Sequence, residues 1–141
     1  MDTITLPAKI KALYQALAFV EKAAQSCGWE GDRAKLELMA EEIFVNIAGY
    51  AYGGEEGLIQ ISCGAEKGMF LMQFRDRGKP FDPLKQPEPD LQSPAGQRPI
   101  GGLGVYLTKT CADRVSYQYE DGTNILTVGM YLQKEEHYEN H

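Results

Sequence analysis

The chain has 141 residues, 43% of them hydrophobic, which is enough for one domain to bury a full core without disulfides or metals. Its 14 basic and 20 acidic side chains give a formal net charge of -6, so it repels polyanions and lacks the electrostatic footprint of a nucleic-acid binder. No apolar run approaches the roughly 20 residues needed to cross a bilayer, and Met1 to Leu6 carries no basic leader. The sequence therefore predicts a cytoplasmic protein, spanning 1–141 as a single domain, with neither nucleic acid nor membrane as a direct partner. Cys27, Cys63 and Cys111 are odd in number and widely spaced, a pattern of reduced, mostly buried thiols rather than of a disulfide framework or zinc site.

In chain order, Thr3 to Leu6 is a short extended stretch, and Pro7 suits a first helical turn. Ile10, Leu13, Leu17, Val20 and Ala24 recur at helical spacing, which predicts a first amphipathic helix ending near Ser26. Gly28 to Gly31 breaks the pattern, and Asp32 can cap a second helix. Leu36, Ala40, Ile43 and Ile47 mark the apolar stripe of that helix, which ends near Tyr52, before Gly53 and Gly54. Leu58 to Cys63 and Met69 to Arg75 alternate apolar and polar side chains on either side of a turn at Ala65 to Gly68, the pattern of an antiparallel hairpin.

From Pro80 to Pro99 the periodicity disappears and six of the seven prolines gather. A long loop of this kind inside a compact domain is more often a functional lid than a connector, here over about residues 80–101. Gly104 to Ala112 reads as a short third helix. Val115, Tyr117 and Tyr119 alternate along a strand, Asp121-Gly122 makes a turn, and Ile125 to Leu132 closes the fold. The polar tail, residues 133–141, offers nothing to pack. This order predicts an α+β fold, a two-layer α/β sandwich with helices on one face of a mostly antiparallel sheet.

Three places carry residues suited to chemistry. Glu42 and Asn46 emerge one turn apart on one face of the second helix. A carboxylate there can take a proton from an attacking hydroxyl, and an amide oxygen can ligate Mg²⁺ without adding charge; the same spacing also describes a solvated helix edge. Asp76-Arg77-Gly78 ends a strand where the lid begins. An ionised Asp76 can accept a hydrogen bond from an exocyclic amine such as that of adenine, and Gly78 permits close approach of a ligand, although Asp-x-Gly is also an ordinary turn. Gly101-Gly102-Leu103-Gly104 leads into a helix whose unpaired N–H groups can face phosphate oxygens. No Gly-Lys-Ser/Thr follows and no parallel βαβ unit surrounds it, so it is neither a Walker P-loop nor a Rossmann turn.

In this order the three segments resemble the motifs of GHKL ATPases: Glu42-Ile43-Phe44-Val45-Asn46 the N box, Asp76-Arg77-Gly78-Lys79-Pro80-Phe81-Asp82-Pro83 the G1 box, and Gly102-Leu103-Gly104 the G2 box. The extended G1 string, the Gly-Gly-Leu-Gly form and the Ile4 to Pro7 opening are similar to the stand-alone anti-sigma factor serine/threonine kinases of the RsbW and SpoIIAB kind, over about residues 3–132. The resemblance implies the Bergerat, or histidine-kinase-like ATPase, fold. It implies ATP with Mg²⁺ as cofactor, a STAS-domain antagonist as phosphoacceptor, a sigma factor as second partner, and a homodimer. It makes Glu42 the general base, Asn46 the Mg²⁺ ligand, Asp76 the adenine acceptor, Gly78 the residue that admits adenine, and Gly102 and Gly104 the phosphate cradle. Gly122-Thr123 resembles the short motif whose hydroxyl supports the adenine site.

Tyr50 stands where many relatives carry histidine, and a phenol there makes a weaker phosphate contact than an imidazolium. Arg98, just before the glycines, can supply a cation to the γ-phosphate, although it also fits a solvated lid. Two further readings stand beside this one. The first is the isolated catalytic domain of a histidine-kinase-like system, for which His137 and His141 in the tail are the only histidines. The second is a non-catalytic ATP-binding module that sequesters a partner, a role in which Glu42 would have no use.

Overall fold

A row of side chains, Ile4, Ile61, Phe74, Leu126 and Tyr117, runs straight across a five-stranded antiparallel sheet. The structure is a computed structural model, and it describes residues 1–85 and 108–133. The strands are β1 (Asp2–Pro7), β2 (Leu58–Glu66), β3 (Met69–Asp76), β4 (Arg114–Glu120) and β5 (Thr123–Tyr131), ordered β1-β2-β3-β5-β4. Alternation along each strand sends Leu6, Ile59, Cys63, Phe70, Met72, Val128 and Met130 to the same face as that row, where all are buried. Two helices, α1 (Leu13–Ser26) and α2 (Arg33–Asn46), pack on this face through Leu17, Val20, Leu36, Met39, Ile43 and Phe44. Each fully buried large side chain contributes about 1.5–3 kcal/mol to holding the two layers together. The opposite face is polar, with Thr3 bonded to Ser62 (2.9 Å) and Gln73 to Thr127 (2.9 Å).

Local chemistry sets most element boundaries. The Asp32 carboxylate accepts from Ala34 N (3.0 Å) and Lys35 N (3.2 Å), capping α2 as its sequence position predicts. The two hairpins turn at Lys67-Gly68 and Asp121-Gly122, all four residues at positive φ, a geometry that matches the twist of the flanking strands and favours glycine second. Pro7 departs from expectation: it closes β1, opposite Leu58, instead of opening a helix. β1 is an edge strand, where a residue without an N–H is tolerated at the end, and a 3₁₀ turn at Ile10–Ala12 makes the entry to α1. The closing strand also begins earlier than its apolar residues suggest, at Thr123, directly after the turn.

All three cysteines are free, as the sequence predicts. Burial pushes the Cys63 thiol up to about 12, with Cys27 and Asp2 adding to the effect, so it stays protonated and packs as an apolar group. No described helix is long and apolar enough to cross a membrane.

Candidate functional site

After Asn46 the second helix widens into a π turn, Ile47–Ala51. Such turns leave carbonyls that the helix itself does not satisfy. Here the Ala51 carbonyl accepts from Lys79 N (2.9 Å), which ties the end of α2 to the segment after β3. The approach is close enough that a Cβ on Gly78 would fall inside van der Waals contact of the Ala51 carbonyl, so glycine is required by packing within the protein itself. Tyr52 makes a second tie: its hydroxyl donates to the Leu58 carbonyl (2.5 Å) and accepts from Arg77 N (2.9 Å).

These ties frame an open cleft. Ile43 and Ile47 from the helix side and Phe74 and Leu126 from the sheet side make its apolar walls. Asn46, Tyr50, Lys79 and Tyr117 bring polar groups to it, and Asp76 and Asn124 lie at its base. Phe81 and Pro83 line it from the chain that leads towards residue 86.

Asp76 is 6% exposed and closes an otherwise apolar row, Phe70, Met72 and Phe74, on the helix-facing side of β3. One carboxylate oxygen, Oδ1, accepts from Gly78 N (2.9 Å) and from Asn124 Nδ2 (3.0 Å). Burial holds the Asp76 carboxyl above the usual aspartate range, and the Asn124 and Gly78 hydrogen bonds pull it part of the way back. Among the described residues no donor reaches the other oxygen, Oδ2, leaving an acceptor for a ligand. Tyr117 is likewise raised by burial, with the Phe81 N–H opposing and Asp82, Asp76 and Tyr119 adding to the rise, so it remains a neutral phenol.

Of the residues singled out in the sequence, Asn46, Tyr50 and Asp76 meet in the cleft. Tyr50 is 66% exposed at its edge. Glu42 is half-buried one turn before Asn46 on α2 and is not among the lining residues. Thr123 sits at the start of β5 opposite Glu120, and strand alternation turns it to the polar face of the sheet, away from Asp76. Its neighbour Asn124 pairs in register with Asp76 and occupies the helix-facing side. Arg98, Gly102 and Gly104, and most of the lid over 80–101, lie outside the described residues, as do His137 and His141. Of the third helix, residues 108–111 are described and are helical.

Asn124, Tyr117, Tyr52 and Ala51 escaped the sequence reading. For Asn124 there was a signal: it stands on the same alternating row as Leu126, Val128 and Met130, and a polar side chain on a buried row needs partners.

A five-stranded antiparallel sheet with helices on one face, and a cleft between the second helix and the end of the central strands, define an α+β sandwich of the histidine-kinase ATPase kind. The catalytic domain of histidine kinase ThkA superposes with a TM-score of 0.54 at 12% identity, covering 94% of this chain and 98% of that one. The Acinetobacter baumannii histidine kinase AdeS superposes at 0.52 with 15% identity, covering 94% of this chain and 70% of that one.

The chain belongs to the histidine kinase-like ATPase domain family, whose pattern it matches over residues 6–130. It is 28% identical over 129 residues to the serine/threonine-protein kinase BtrW of Bordetella bronchiseptica, covering 90% of this chain and 91% of that one. It is 27% identical over 142 residues to the serine-protein kinase RsbW of Bacillus thuringiensis, covering 96% of this chain and 88% of that one.

Proposed function

We propose that this chain is an ATP-dependent protein serine/threonine kinase that acts as an anti-sigma factor and phosphorylates a STAS-domain antagonist. The observation that carries the reading is Asp76: a nearly buried carboxylate whose Oδ1 is bonded twice within the protein, while Oδ2 has no donor among the described residues, in a cleft walled by Ile43, Ile47, Phe74 and Leu126. An acceptor at that point takes the exocyclic amine of adenine and rejects the carbonyl that guanine presents there, because two acceptors would face each other. Likeness to BtrW and RsbW along most of their length supports protein serine or threonine as the acceptor.

In this reading the chain's residues divide the work. Asp76 selects the base, Asn46 holds Mg²⁺ against the phosphates, and Gly102, Gly104 and Arg98 serve the phosphate side. Thr123, turned to the polar face of the sheet, takes no part in this reading, and Tyr50 takes the place that many relatives give to histidine. The nucleotide supplies the phosphoryl group. Glu42 takes the proton of the incoming serine hydroxyl as that oxygen bonds to phosphorus and ADP leaves. A homodimer working in the cytoplasm, with the sigma factor as the second partner, completes the proposal.

The test is incubation of the protein with Mg-ATP and the STAS proteins of the same genome, read by intact-mass spectrometry. One added phosphoryl group on a STAS protein is the expected result. It should fall by about 10²- to 10⁴-fold in Glu42→Gln while nucleotide affinity is retained. A protein that binds ATP yet phosphorylates no STAS partner would be a sequestering module instead, and one that binds no ATP would belong to neither reading.

A further inference from the structure

Asn124 is 5% exposed, and every hydrogen-bonding position of its carboxamide is used. Nδ2 donates to Asp76 Oδ1 (3.0 Å) and to the Lys79 carbonyl (2.9 Å). Oδ1 accepts from Phe81 N (3.1 Å) and from the Tyr117 hydroxyl. A flipped amide would set its NH₂ against the Phe81 N–H, so one orientation is selected. The side chain thereby joins three separate pieces of chain at one point: the carboxylate at the end of β3, the backbone of residues 79–81, and the phenol on β4.

We infer that Asn124 is the positioning residue of the cleft: it holds Asp76 with Oδ1 turned into the protein and Oδ2 presented to the ligand, and it fixes residues 79–81 to the same point. The inference rests on the proposed role of Asp76 as the acceptor for a base amine. No other side chain of similar size does the same work. Aspartate at this position keeps the acceptors but puts a second carboxylate against Asp76, and alanine supplies neither donor nor acceptor. Among the described residues, the titratable or charged groups that line the cleft with Asp76 are Lys79 after β3, Tyr50 in the π turn and Tyr117 on β4, with Asp82 and Tyr119 acting on Tyr117.

The experiment compares wild type, Asn124→Ala and Asn124→Asp. The Asp76 carboxyl carbon is titrated by NMR without nucleotide, and ADP affinity is measured by calorimetry across the same pH range. The expected Asp76 midpoint is lowest in wild type, higher in Asn124→Ala and highest in Asn124→Asp. ADP affinity at neutral pH should fall about tenfold in Asn124→Ala, the worth of one hydrogen bond to a charged group. The acid limb of ADP binding should move with the Asp76 midpoint, a change that a merely structural residue would not produce.

Wild type offers a reading that needs no variant. The side-chain amide signals of Asn124 should titrate with the Asp76 midpoint and shift when ADP is added. Amide signals that ignore both, or variants with the wild-type Asp76 midpoint and ADP profile, overturn the inference while leaving nucleotide binding in place. A wild type that binds no adenine nucleotide instead overturns the proposed function, on which this inference depends.

Discussion

The two ends of the β3–β5 pair are built from the same strands and the same alternation, yet they do opposite things. At one end Phe70 faces Met130 and Met72 faces Val128, all of them at most 2% exposed, with the Trp29 ring 6.3 Å from Phe70. At the other end the same rows finish in Asp76 and Asn124, paired in register and nearly as buried. The apolar end gains from removing surface from water and asks little of orientation. The polar end gains little net free energy from each hydrogen bond and loses heavily if one partner is missing, so its geometry is narrowly determined. A carboxylate fixed in that way, beside the opening between the π turn and residues 79–83, is what recognition of a ligand requires.

If this contrast is correct, Phe70→Ala should have the largest effect, destabilising the protein by about 3–5 kcal/mol in urea denaturation. The fraction that remains folded should keep its nucleotide affinity. An equal loss of affinity per folded molecule would show that the two ends are not separate.

Asp76→Asn should do the reverse. The new side chain has the same shape and can keep its oxygen towards Gly78 N and Asn124, so stability should change little, whereas adenine nucleotide affinity should fall by about 1.5–3 kcal/mol in calorimetry. Unchanged affinity in the folded variant would remove Asp76 from the binding role.

The pH dependence sharpens the same point. Burial raises the Asp76 carboxyl above its ordinary value of 3.8, so between that value and the higher folded one the native state binds more protons than the unfolded state. Stability contributed by this group therefore falls as pH rises through the window and is level above it. Denaturation midpoints at a series of pH values should show this slope in wild type and lose it in Asp76→Asn. Nucleotide binding runs the other way, weakening as pH falls and Asp76 gains its proton.

The smallest effect belongs to Asp32→Ala, at the far end of α2 from Asn46. Loss of the cap should cost about 1 kcal/mol of stability and leave nucleotide affinity alone. A loss of affinity there would mean that the α2 terminus communicates with the cleft along the helix.

Much of the fold was legible because it depends on neighbours in sequence. The alternation in β2, β3 and β4, the turns within residues 65–68 and at Asp121-Gly122, the Asp32 cap and the end of α1 at Ser26 all follow from local dihedral preferences and side-chain period. Glu42, Asn46 and Asp76 were legible as residue types at meaningful spacings, and family likeness ordered them into one site. Tertiary structure alone brought Asp76 to Asn124, 48 positions away, because register between strands is set by the burial of whole rows and by no single local signal. It also turned Thr123 to the polar face and Asn124 to the helix side, since one step along a strand reverses direction. Gly78 shows the same division: its place in an Asp-x-Gly turn could be read from the chain, but the demand for glycine there comes from the Ala51 carbonyl, delivered by a helix end 27 residues earlier that widens into a π turn and needs a distant N–H to satisfy it.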